Sequence, residues 1–162
     1  MVVKFERRTV VDGLTAAGWF PGREVDYSSW IGVLEREGFV LSQVALRVWA
    51  ELGGLKVVRQ GGDRPSSLRF DPVDAASGVV SEARRLGEDY GENLSPIGLW
   101  SSQYRCYIAE SGWVMAVGPG WDWKLGDDLE EALDLVVTGD REISLIKITK
   151  PGAPPFPSPK DP

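Results

Sequence analysis

Apolar residues recur at helical spacing through the first third of the chain. Val10, Val11, Leu14 and Ala17 mark a first helix over 9–17 that stops at Gly18. A second helix follows, capped by Asp26 or Ser28, with Trp30, Val33 and Leu34 on one face and Gly38 after it. In "FVLSQVALRVWAELGGL", Ser42 is the expected N-cap of a third helix. Ala45, Val48, Trp49 and Leu52 form its apolar stripe, and Gly53 and Gly54 end it.

Beyond Gly54 the period shortens to two. "LKVVRQ" (55–60) and "LRF" (68–70) read as strands, separated by the turn formers of "GGDRPSS". "VVSEARRLG" (79–87) reads as a fourth helix with Val79, Val80, Ala83 and Leu86 on one side and Gly87 as its stop. "LSPIGLW" (94–100) reads as an edge or bent strand, because Pro96 has no N–H to donate. "YRCYIAESGWVMAV" reads as a hairpin turning on Ser111-Gly112, which sets Ile108 opposite Met115 and Cys106 opposite Val117. Both of its faces are apolar, which places this pair centrally in a sheet.

"GPGWDWKLG" reads as a loop leading into a helix at "DDLEEALDLVVTG". There Asp127 and Glu130 approximate a capping box, and Leu129, Ala132, Leu133 and Val136 form the buried stripe. "EISLIKIT" (142–149) reads as a last strand. The expected organisation is one α+β domain over 1–150, with helices packed on a mostly antiparallel mixed sheet, and an extended, disordered Pro-rich tail over 151–162.

Composition narrows the function. With 162 residues, 43% hydrophobic and 26% charged, the chain reads as a globular domain of ordinary composition. No apolar run approaches a membrane span and the N-terminus does not read as a signal peptide, so a cytoplasmic setting and no membrane partner are expected. A lone Cys106 agrees with a reducing compartment. A net charge of −6 opposes nucleic-acid binding and favours basic partners. The chain contains no histidine, which removes imidazole bases, imidazole metal ligands and His-activated nucleophiles together. No cofactor or metal is expected.

Five motifs taken in order, "LTAAGWFPGREVD", "AELGGL", "FDP", "PIG" and "GDDLEEALD", resemble the SUKH superfamily, and within it the third SUKH family, whose N-terminal signature is A-G-W-x-P-G-R. The resemblance runs from about Leu14 to about Gly139. It implies a SUKH-like α+β fold and a non-enzymatic immunity protein of a bacterial polymorphic toxin system. Such a protein binds a cognate toxin domain, often a nuclease, as a monomer or weak oligomer. The motif positions Gly18, Trp19, Pro21, Arg23, Gly53, Gly54, Asp71, Pro96 and Gly98 are then structural. In that view "GWFPGR" is a corner between the first two helices, with Trp19 as packing anchor and Arg23 bound to a nearby carboxylate or carbonyl.

Two regions are the candidate partner surface. Trp121 and Trp123 flank Asp122 in this loop, and the expectation is that one indole is buried while the other is presented to a partner. Glu88, Asp89 and Glu92, together with Asp122, Asp127 and Asp128, would offer carboxylates to a basic toxin and speed its association. Two other readings stand beside this one: an interaction module with no toxin, and a hydrolase using a carboxylate pair among Asp122, Asp127 and Asp128.

Overall fold

The computed structural model describes residues 3–76 and 81–152. Val79 and Val80 of the expected fourth helix, and residues 153–162 of the Pro-rich tail, lie outside the described residues.

The three N-terminal helices form where expected: α1 (Arg8–Ala16), α2 (Ser28–Arg36) and α3 (Gln43–Leu52). Glycine ends the first two in the same way. Gly18 has φ 102°, its N–H reaches the Thr15 carbonyl, and the Trp19 N–H reaches back to Leu14. Gly38 and Phe39 repeat this on Glu35 and Leu34. Only a residue at ease with positive φ closes this Schellman arrangement without strain. Ser42 Oγ accepts the Ala45 N–H and caps α3.

The sheet has seven strands in the order β1 (Lys56–Val58), β2 (Ser67–Arg69), β3 (Leu94–Trp100), β4 (Tyr104–Ala109), β5 (Val114–Gly118), β6 (Trp121–Gly126) and β7 (Ser144–Ile148). Every neighbouring pair is antiparallel, so the sheet is not mixed. Three further helices complete the described elements: α4 (Pro72–Ala76), α5 (Glu82–Tyr90) and α6 (Leu129–Thr138). Helix α6 touches β6 and also β1 and β2, from opposite parts of the strand order, so the sheet curls around it. Helix α1 packs on α6 through Gly13, where a Cβ would lie 2.8 Å from Val137 Cγ2.

Several expectations are corrected. β3 is interior, paired with β2 and β4, although it is bent: its register shifts between Pro96 and Gly98. A Cβ on Gly98 would stand 1.8 Å from the Arg69 carbonyl oxygen, so the bend brings two backbones together where only glycine fits. The β4–β5 hairpin runs one residue off the expected register, with Tyr107 opposite Met115 and Cys106 opposite Ala116. Its loop holds three residues, not two: Ala109 N–H bonds Trp113, and Gly112 adopts φ 103° as the third. The α6 cap sits one residue later than expected, since Asp128 Oδ1 accepts the Glu131 N–H while Glu131 accepts that of Asp127.

Helix α5 is likewise displaced. Gly87 lies inside it, and the left-handed Gly91 ends it at φ 70°. "WDWKLG" is strand β6 and not a loop.

Candidate functional site

Helix α5, "EARRLGEDY", buries only Leu86 and Glu82. A helix this polar is held by its charges. Register places Arg105, Val117, Asp122 and Lys147 side by side across β4, β5, β6 and β7, and the side chains of α5 meet this row.

Two carboxylates organise the contact, one from each side. Asp122 is fully buried and accepts from Arg85 at 2.8 and 3.0 Å and from the Tyr90 hydroxyl at 2.6 Å. Glu82, on the helix, accepts from Arg105 at 2.6 Å through both of its oxygens and from the Tyr107 hydroxyl. Each carboxylate therefore holds one arginine fork and one tyrosine. Asp89 extends the network outward, 3.1 Å from Arg85 and 2.7 Å from Lys147.

The electrostatics follow this geometry. Burial alone would lower the Arg85 guanidinium, but its bonds to Asp122 and Asp89 raise it above its ordinary value. Burial, then the Asp122 bond, pushes the Tyr90 hydroxyl up, and burial with Glu82 does the same to Tyr107. The Lys147 bond holds Asp89 below the usual carboxylate range. Glu82, Asp89 and Asp122 are thus matched by Arg85, Arg105 and Lys147. The patch is a neutral, cross-linked platform and not an acidic one.

The remaining candidates have partners of their own. Glu88 pairs with Arg84 at 2.9 Å on the exposed side of α5. Glu92 pins the β4–β5 turn, accepting from the Ser111 N–H and hydroxyl at 2.9 Å and from Trp113 Nε1 at 3.3 Å. Asp127 pairs with Lys124, and Asp128 caps α6. Trp121 and Trp123 are both buried, so the expectation that one indole faces solvent is corrected: two residues apart on strand β6 they share one face, and that face is covered. Among the described residues, no group of three or more acidic or cysteine side chains could hold a metal ion, and no helix is long and apolar enough to cross a membrane.

The motif positions form joints. Arg23 donates to the carbonyls of Glu51 at 2.6 Å and Gly53 at 2.8 Å, which seats a cation on the C-terminal end of α3. Trp19 is half-buried against the core, edge-on to Phe5 with centroids 5.8 Å apart. Phe20 and Pro21 stay exposed at the corner. A Cβ at Gly53 would strike the Trp49 carbonyl and the Trp30 ring, and Gly54 takes φ 81°. Asp71 accepts the Asp74 N–H at the start of α4, and the Pro96 carbonyl accepts Trp49 Nε1 at 2.9 Å.

The family model described as SUKH-3 immunity protein matches residues 7–139. The chain belongs to the SUKH-3 immunity protein family. No curated protein and no solved structure matches it. In this SUKH-3 chain the matched region runs from the residue preceding α1 to the glycine that ends α6, and so includes the whole α5 platform except Lys147. Glu82, Arg85, Tyr90, Arg105, Tyr107 and Lys147 were not among the expected site residues. The i, i+3 and i+4 spacing of Glu82, Arg85 and Asp89 carried a signal for the helix half of the network. Nothing local connects it to β4, β6 or β7.

Proposed function

We propose that this SUKH-3 family chain is an immunity protein that neutralises a cognate polymorphic toxin domain, such as a nuclease, by direct one-to-one binding in the cytoplasm. The family match over residues 7–139 carries this reading. The site geometry supports binding over turnover. Asp122, Asp127 and Asp128, the carboxylates a hydrolase would need, are committed separately to Arg85 and Tyr90, to Lys124, and to a helix cap. A platform cross-linked in this way keeps its shape, and pre-organised surfaces lose little freedom on association.

The net charge of −6 favours a basic toxin face, drawn in by exposed carboxylates such as Glu24, Glu35 and Glu142. The test is co-expression with each candidate toxin domain encoded by a neighbouring gene. The expected result is restored growth, a one-to-one complex on gel filtration, and an association rate that falls as salt rises. Continued killing at high levels of folded chain, with no complex, refutes the proposal.

A further inference from the structure

A cavity of about 500 Å³ opens between the N-terminal segment, α3, the β4–β5 turn and the start of α6. Val3, Val44, Val48, Ile108 and Leu129 line it, joined by Lys4, Arg47 and Asp128. Its size falls within the range of sites that take a compact ligand group, and its aliphatic walls offer no side-chain hydroxyl or amide to orient a polar one.

The charges around it are unequally committed. Asp128 is engaged by the Glu131 N–H at 2.7 Å, and Lys4 lies 3.4 Å from Glu6 with both side chains mostly in solvent. Arg47 has no hydrogen-bond or ion-pair partner among the described residues. Among the described residues Arg47 is therefore the cation at this apolar cavity that has no carboxylate partner, and its planar fork fits one.

We infer that this cavity is the anchor site for the partner protein, taking an apolar side chain of a segment that also presents a carboxylate to Arg47. The inference rests on the binding function proposed above and adds where the partner docks and with what chemistry. Interfaces concentrate their affinity in such places: a desolvated pocket filled by one apolar anchor, with a charge pair beside it that fixes register. A basic toxin meets the description if its docking segment carries one acidic residue next to an aromatic or aliphatic one.

Two experiments separate this inference from the function it rests on. In the first, the folded chain is titrated with 3-phenylpropionate, an apolar ring carrying a carboxylate, and with its neutral amide, followed by amide NMR shifts. The expected shifts centre on Val44, Arg47, Gly112 and Leu129, with the acid preferred over the amide and the preference lost in Arg47→Ala. Shifts elsewhere, or none, overturn the site.

In the second, the parent, Arg47→Glu and Val44→Asp are measured against the toxin domain that the co-expression test identifies. A loss of about 30-fold or more in affinity, mostly as faster dissociation, is expected for both variants. The exposed Arg36→Glu on α2 serves as the control for the same charge change away from the cavity. Equal binding by parent and both variants overturns the docking assignment while leaving the immunity function intact. A parent that takes 3-phenylpropionate in the cavity but does not bind the toxin domain overturns the function and, with it, the identity of the partner. Concentration-dependent self-association abolished by Arg47→Glu assigns the cavity to a second copy instead.

Discussion

Removing the Asp122 carboxylate tests whether charge, more than apolar packing, holds α5 on the sheet. In Asp122→Ala the Arg85 guanidinium loses both bonds to that carboxylate and the Tyr90 hydroxyl loses its acceptor. Breaking a buried pair by deleting one partner costs about 3–5 kcal/mol, because the other charge is left uncompensated. Arg85 keeps Asp89 at 3.1 Å and its side chain is 30% exposed, which sets the expected loss at the lower end, about 3 kcal/mol. For a chain of this size that corresponds to a fall of about 6–12 °C in Tm.

Two companions sharpen the test. Asp122→Asn can still accept from Tyr90, so its loss is smaller, about 1–2 kcal/mol. Arg85→Ala strands a fully buried carboxylate with one tyrosine and is expected to be at least as damaging as Asp122→Ala. The double variant Asp122→Ala/Arg85→Ala should lose less than the sum of the two singles, because the interaction is removed only once. Thermal and urea unfolding measure all four. A Tm for Asp122→Ala within about 2 °C of the parent, less than 1 kcal/mol for a chain of this size, refutes the claim that this network fastens the helix.

The chain should weaken in alkali. Burial keeps the Cys106 thiol and the Tyr107 hydroxyl protonated in the folded state, while the unfolded chain releases those protons near pH ~8.5 and ~10. This contribution is fully present below those ordinary values and is lost as pH climbs toward the raised folded ones, at about 1.4 kcal/mol per pH unit for each group. Urea midpoints should fall from about pH 9, and the fall should flatten in Cys106→Ala and Tyr107→Phe; a midpoint unchanged to about pH 11 counts against it. Gly98→Ala places a methyl 1.8 Å from a backbone oxygen that no rotamer change can move, and should cost about 3 kcal/mol or more by urea unfolding. A Gly98→Ala variant as stable as the parent would mean that the bend in β3 can open.

The helices and joints of the N-terminal half were legible because their signals are local. A serine at the α3 start and glycines after α1 and α2 do their work within four residues of where they stand. The same locality explains the errors. Gly87 reads as a helix stop because glycine is a poor helix former, yet the left-handed residue is Gly91. The hairpin slipped by one because "ESG" closes a three-residue loop as readily as "SG" closes a two-residue one. Strand β6 was hidden because Trp121, Asp122 and Trp123 are all buried, which erases the alternation a strand shows when one face is wet. The candidate acids were visible as acids, but not their partners. Asp122 meets Arg85 across 37 residues and Asp89 meets Lys147 from another strand, and only the folded sheet brings them together.

The strand order has a kinetic corollary. Each strand lies beside its predecessor in the chain, and β3 to β6 follow one another through short turns, so that part of the sheet can assemble hairpin by hairpin with short loop closures. The contacts of Glu6, Arg7 and Thr9 with α6 cannot form early. Glu6 and Arg7 donate their N–H groups to Glu130, and Thr9 bonds Asp134, across more than 120 residues. During synthesis these contacts must wait until the ribosome has released α6, and by the same ordering they should be the earliest to open under native-state hydrogen exchange. The apolar cavity, which needs Asp128 and Leu129 at the start of α6 as well as Val3 and Lys4, is therefore complete only once α6 has been made.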